Sequence, residues 1–292
     1  MKGRDIQTSN NGEFLLVAEF EKNIAAYEVS TRKKLGEYST HYTLGKRMCI
    51  SNSGKLFAAA AFSRFGVSLY DVTSGDVLWT NKGIKKIGSI CFSSDDSHLI
   101  VVSTDREMYT LSLEDGSVIE KEAGVDDFYP GKDIEVRRTG SGKLKWNGLR
   151  VDPEKRILCL CSGKDKVFGS VFRGGLLCYS SEGKLLWSEE NKPEEHYIHL
   201  AYCSEYDYVL CFGLKIGEKR KKPYLFLDVY AAKTGALVYT SEIGTIAHTY
   251  SDSERIIIDV TGKVFEVGKD SCVASSRRFD VSSAFRKAPV KK

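Results

Sequence analysis

Apolar and polar positions along the chain fall into short runs, each closed by a turn of small polar residues. The clearest stretch, Ser51 to Thr80, reads SNSGKLFAAAAFSRFGVSLYDVTSGDVLWT. A polar turn opens it, two apolar runs follow, and a Gly-containing turn leads into an aliphatic–aromatic phrase. Runs of about four to eight such residues between turn signals predict β-strands, whereas a helix needs a longer 3.6-residue period. The phrase SLYDVTSGDVLWT (Ser68 to Thr80) returns as LLCYSSEGKLLWS (Leu176 to Ser188) and FLDVYAAKTGALVYT (Phe226 to Thr240). It returns more weakly as MYTLSLEDGSVIE (Met108 to Glu120). A repeated four-strand phrase predicts an all-β fold, a β-propeller of four-stranded antiparallel blades.

Six copies are legible, beginning near residues 4, 46, 87, 147, 198 and 244. Their second strands read GEFLLVAEF, GKLFAAAAF, SHLIVVST, KRILCLCS, YDYVLCFG and ERIIIDV, preceded by first strands DIQTS, RMCIS, SICFS, GLRVD, LAYCS and AHTYS. The turns from third to fourth strand use Thr31-Arg32, Ser74-Gly75, Asp115-Gly116, Glu182-Gly183, Thr234-Gly235 and Gly268-Lys269. Gly adopts the positive φ of such tight turns without steric cost. The spacing is uneven, because Glu122 to Trp146 is extra. Read as an insertion loop, it leaves six blades, the favoured count. Read as a degenerate blade, with IEVRR and GKLKW pairing across TGSG, it gives seven. Deleting Gly124 to Lys145 separates the two: a loop leaves folding intact, a blade does not. Residues 1–280 are expected to form one propeller domain with the insertion 122–146, and 281–292 a basic tail. The phrase SRRFDVSSAF near the end is a candidate strand for closing the ring, since an unpaired sheet edge invites aggregation.

Strands such as SNSGKLFAAAA and SSDDSHLIVVS resemble those of WD-repeat propellers, and SLYDVTSGDVLW and LCYSSEGKLLW resemble quinoprotein-type repeats. The resemblance implies the propeller superfamily and covers most of the chain as a loose pattern. The Gly-His pair and the closing Trp-Asp of WD repeats are absent, so that family's hydrogen-bond network is not transferred to any residue here. The quinone-binding members imply adjacent cysteines and a periplasmic setting. No vicinal Cys pair occurs in this sequence, and no cofactor is expected.

The net charge of +4 is local in origin. Arg277 to Lys292 holds six basic residues and one acid, and Lys215 to Lys222 holds five basic residues and Glu218. The pattern argues against a broadly basic nucleic-acid surface. No apolar run reaches the roughly 18 residues of a transmembrane helix, and MKGRDIQTSNNGEF lacks the apolar core of a secretory signal. A cytoplasmic location is therefore expected. The eight cysteines (Cys49, Cys91, Cys159, Cys161, Cys178, Cys203, Cys211 and Cys272) stand almost all within apolar strand phrases. There Cys acts as a small buried hydrophobe, and the expected state is the reduced thiol.

Candidate chemistry is sparse. Glu194, Glu195, His196 and His199 are metal-ligand types close in sequence, but strand alternation places His196 and His199 on opposite faces. The expected role is a polar connector, and no metal site is assigned. His41, His98 and His248 stand alone, and Cys159 and Cys161 lack the CxxC spacing. Thr139 to Lys143 (TGSGK) lacks the full phosphate-loop spacing and reads as a hairpin turn. Trp79 and Trp187 hold equivalent places in their repeats, which predicts packing between blades. Trp146 lies outside that pattern and is expected as a contact residue.

With no catalytic constellation in view, the expected function is a non-enzymatic scaffold for protein–protein interaction. The expected partner-binding residues are Asp126, Asp127, Phe128, Tyr129, Arg137, Arg138 and Trp146, together with Lys219, Arg220, Lys221 and Lys222. Aromatic residues and Arg anchor interfaces, and these segments break the repeat. Two alternatives remain open: a lactonase-like metal-dependent hydrolase with acids converging at the central channel, and phosphate, lipid or nucleic-acid binding through the basic loop 215–222.

Overall fold

The computed structural model describes residues 4–9, 11–19, 23–40, 47–62, 65–172, 175–190, 195–215, 224–245, 250–252, 256–259, 263–269 and 271–278; all their regular structure is β-strand. The strands form seven four-stranded antiparallel sheets, each built from consecutive strands. Blade one contains β1 (Arg4–Thr8), β2 (Phe14–Glu19), β3 (Asn23–Glu28) and β4 (Lys34–Ser39). Blade two contains β5 (Met48–Ile50), β6 (Leu56–Ala60), β7 (Val67–Asp71) and β8 (Val77–Asn81). Blade three contains β9 (Ile87–Phe92), β10 (His98–Ser103), β11 (Glu107–Ser112) and β12 (Val118–Ala123). Blade four contains β13 (Val125–Pro130), β14 (Glu135–Thr139), β15 (Leu144–Trp146) and β16 (Leu149–Val151). Blade five contains β17 (Ile157–Gly163), β18 (Lys166–Val171), β19 (Leu176–Ser180) and β20 (Leu185–Glu189). Blade six contains β21 (Glu195–Cys203), β22 (Tyr208–Lys215), β23 (Tyr224–Ala231) and β24 (Leu237–Thr245). Blade seven contains β25 (Tyr250–Asp252), β26 (Ile256–Asp259), β27 (Lys263–Val267) and β28 (Cys272–Arg278).

The seventh sheet is blade four, so the segment 122–146 is not an insertion: it supplies the end of β12 and the first three strands of a blade. IEVRR and GKLKW do pair across TGSG, with Arg137 opposite Lys145 and Arg138 opposite Leu144. Val125, Phe128, Val136, Leu144 and Trp146 are buried between charged neighbours, and Asp126 is the extra residue of a bulge. These charges hide the period-two pattern. The same blade shifts one assignment: GLRVD supplies the outer strand β16 of blade four, and ILCLCSG is the first strand of blade five.

First strands of neighbouring blades meet around the ring, β1 with β5, β5 with β9, β17 with β21 and β25 with β1. They therefore lie innermost, and fourth strands form the rim. The ring closes by packing of β25 on β1, with no exchanged strand among the described residues. The SRR of the phrase expected to close it belongs to β28, the outer strand of blade seven; residues 279–292 lie outside the described residues.

Each hydrophobic cluster straddles two neighbouring blades. Leu16, Ala18 and Ile24 pack with Met48, Phe57 and Tyr70 between blades one and two. Leu210 and Leu227 of blade six pack with Phe265 of blade seven. Sheets stacked face to face bury both faces, so removal of apolar surface from water holds blade to blade.

One polar device repeats at the joints. The indole N–H of Trp79 on β8 donates to Leu113 O after β11 at 2.9 Å, and that of Trp187 on β20 to Ala232 O after β23 at 3.0 Å. Trp146 on β15 donates to Ser181 O after β19 at 2.8 Å, and Tyr208 of β22 donates to Lys269 O after β27 at 2.8 Å. Tyr38 on β4 donates to Val72 O after β7. Each donor thus reaches the third-to-fourth-strand turn of the next blade. The turn glycine is doubly constrained there. Gly116 has φ +72°, and a Cβ on it would lie 2.5 Å from the Trp79 ring. Trp146 is therefore a buried joint residue, 1% exposed, and its expected role as a contact residue is corrected.

The fourth strands share a second device. In five blades a bulge skips the second residue of the outer strand: Leu35, Leu78, Ile119, Leu186 and Val238. A bulge bends and twists an edge strand, which makes the rim a poor template for pairing with another sheet.

Candidate interaction surface

Strands alternate in direction, so turns from second to third strand and the connectors between blades lie on one face of the disc. That connector face holds the side chains that the repeat does not explain. Phe62 and Phe65, in the turn from β6 to β7, are 42% and 40% exposed. Phe172, in the turn from β18 to β19, is 51% exposed. The Arg47 guanidinium carbon stands 5.4 Å from the Phe62 ring centre, a cation–π distance. Arg106, at the turn from β10 to β11, has a side chain 62% exposed. Sequence reading passed over the three phenylalanines because each adjoins a strand phrase. The available signal was a bulky ring beside Arg and Gly in a turn, as in FSRFG and FRGG.

The residues chosen from sequence are placed differently. Asp126 pairs with Arg106 at 3.2 Å and with Arg138 at 3.8 Å, and Arg138 also faces Asp127 at 3.9 Å. Arg137 pairs with Glu122 at 3.0 Å, and Lys145 reaches the same carboxylate at 3.1 Å. Phe128 is buried, with Arg137 over its ring at 5.4 Å, and Tyr129 packs toward blade five. Most of these charges therefore join blade three to blade four, a joint with no aromatic donor among the described residues. Lys219, Arg220, Lys221 and Lys222 lie outside the described residues. Lys215 pairs with Glu195 at 2.7 Å.

Two concavities flank blade four. One, of 430 Å³, opens on the connector face and is lined by Arg106, Asp126, Arg138, Gly140 to Gly142 and Pro153 to Arg156. The other, of 400 Å³, lies beside the β15–β16 turn, where Leu149 is exposed.

Other candidate groups have structural surroundings. A bulge at Ile198 resets strand alternation, so His196 and His199 sit opposite Leu214 and Phe212, two apart on β22. By register they share a side of the sheet, which corrects the expectation of opposite faces. Among the described residues no three His, Cys, Asp or Glu gather in a metal-holding arrangement. The Cys49, Cys161, Cys178, Cys203 and Cys211 thiols are buried, and burial pushes Cys178 up to about 12. Such thiols are poor nucleophiles, because the thiolate is the reactive form. Between blades five and six, Tyr197 Oη donates to Asp228 Oδ2 at 2.8 Å and lies 2.6 Å from the Tyr230 hydroxyl. Burial raises the Asp228 pKa above its ordinary 3.8, outweighing the hydrogen bonds from Thr240 and Tyr197.

Seven four-stranded sheets packed face to face into a closed ring define a β-propeller. Among solved structures the chain is similar to BamB from Moraxella catarrhalis, with a TM-score of 0.62 at 11% identity, over 94% of this chain and 88% of that one. At this identity the likeness establishes the fold, in agreement with the propeller-type repeats of the sequence. No family model and no curated protein matches the sequence. No helix among the described residues is long and apolar enough to cross a membrane.

Proposed function

We propose that this propeller is a non-enzymatic scaffold that binds a protein partner through its connector face. The observation that carries the reading is the exposure of Phe62, Phe65 and Phe172 on the face that also presents Arg106. Aromatic and Arg side chains dominate the binding energy of protein interfaces, and these rings are presented to solvent on one face. The rings adjoin strands held in sheets, which limits the entropy lost on association. A reducing, cytosolic setting belongs to the same proposal, because the buried cysteines serve as packing groups. Asp126, Asp127, Arg137 and Arg138 enter this reading as supports that hold blade four and Arg106 in place; Lys219 to Lys222 stay part of it as basic candidates for the same partner.

The test is affinity purification of the tagged protein from nuclease-treated native cytosol, read by mass spectrometry. The triple variant Phe62→Ser, Phe65→Ser, Phe172→Ser is compared with Leu78→Ser, Leu186→Ser on the opposite rim. A stoichiometric partner lost only from the first variant is the expected result. A partner lost only from the rim variant moves the interface to the other face, and no partner from the wild type removes the reading.

A further inference from the structure

The connector-face concavity of blade four has the composition of an anion site, and we infer that it binds a phosphate group. This inference goes beyond the partner-binding proposal and stands without it. Four cationic side chains, Arg106, Arg138, Lys155 and Arg156, line it against two carboxylates, Asp126 and Glu154. The lining holds two more cations than acids, with Asp127 and Glu190 the paired acids just outside it. Asp126 lies between Arg106 and Arg138, and Lys155 pairs with Glu190 outside the cavity at 3.3 Å with both side chains exposed. Arg156 is exposed and makes no ion pair among the described residues. A planar guanidinium beside a second cation is suited to the oxygens of a phosphate.

The wall opposite is shaped to leave room. A Cβ at Gly140 would lie 2.8 Å from the Arg106 side chain, so glycine lets Arg106 lie across the hairpin. Nothing lies within 4 Å of where a Cβ at Gly142 would be, which leaves that side of the turn open. Ser141, between them, is exposed and its hydroxyl is 3.0 Å from that of Thr139. The amides of Gly140 and Gly142 already donate to Gly124 O and Thr139 O. Recognition therefore rests on side chains, with the turn supplying space, and differs from a phosphate loop in which backbone N–H groups cradle the anion.

The probes are inorganic phosphate, a phosphoserine peptide with uncharged flanks, and the same peptide unphosphorylated. Each is titrated into the full chain by calorimetry at low and moderate salt. The expected result is one saturable site for phosphate or for the phosphopeptide, with none for the unphosphorylated peptide. Tighter binding of the phosphopeptide assigns the group to a modified protein, and tighter binding of inorganic phosphate assigns it to a small ligand. Lys155→Gln with Arg156→Gln removes two charge-assisted contacts and is expected to weaken binding about ten-fold or more. Lys33→Gln with Lys184→Gln, exposed turn residues of the opposite face, is expected to leave it unchanged. The inference is overturned if neither phosphate probe saturates, or if both double variants weaken binding equally, as a diffuse charge effect requires.

Discussion

At the scale of single residues, the joints between blades are the most exacting sites in the chain. Trp79, Trp146 and Trp187 each place an indole N–H on a carbonyl of the next blade, and a glycine in the receiving turn lies under or beside the ring. Trp79→Phe keeps most of the packing and leaves Leu113 O without its donor, a loss of about 1 kcal/mol for a typical hydrogen bond. Gly116→Ala is predicted to cost more, about 2–4 kcal/mol, from a left-handed alanine plus an overpacked ring. Urea unfolding of both variants checks the ranking; equal midpoints would contradict the joint as described. Asp228 supports a pH prediction. Its pKa is raised in the fold, so the folded chain holds this proton more tightly than the unfolded chain does. Its contribution is fully present below the ordinary value of 3.8 and is lost as pH rises through the folded value. Asp228→Asn is therefore expected to lose less stability than the wild type as pH rises above about 4, read from denaturation midpoints.

At the scale of elements, legibility in the sequence followed how cleanly each strand was apolar. Blades one, two, three and six have second strands of nearly unbroken apolar residues, such as LFAAA and HLIVVS, and their strands match the expectation closely. Blade four is hidden because Asp126, Asp127, Arg137, Arg138 and Lys145 interrupt the pattern. Those charges meet one another and Glu122 across a joint, a fact that no single-strand pattern contains. The exposed phenylalanines were hidden for the opposite reason, since each continues an apolar strand phrase into a turn. Trp146 shows a third cause: it sits on β15 rather than on an outer strand, so its kinship with Trp79 and Trp187 is spatial. Treating 124–151 as a blade has a direct consequence. Its deletion removes the seat of blade three on one side and of blade five on the other, exposing Val125, Phe128, Leu144 and Trp146 partners. Loss of cooperative thermal unfolding by circular dichroism is expected, and a deletion protein that melts like the wild type would restore the loop reading.

At the scale of the whole molecule, the two faces of the disc divide the work. One face carries the turns that receive aromatic donors, and these are tied to the repeat. The other carries phenylalanines, Arg106 and the basic concavity, which the repeat does not require. A propeller's fold is shared by proteins of many activities, so the departures from the repeat, more than the ring itself, carry the functional reading. The building of each described sheet from consecutive strands has a further consequence for how such a chain changes over generations. Every sheet is encoded by one uninterrupted stretch, and five of the seven joints are an aromatic grip on a neighbour's turn, with a sixth ionic. A duplication or loss of one stretch therefore alters the circumference without splitting a sheet between two ends of the gene. Blade four, which keeps the sheet but replaces the aromatic grip toward blade three with charges, is a unit whose joint has diverged while its place in the ring has not.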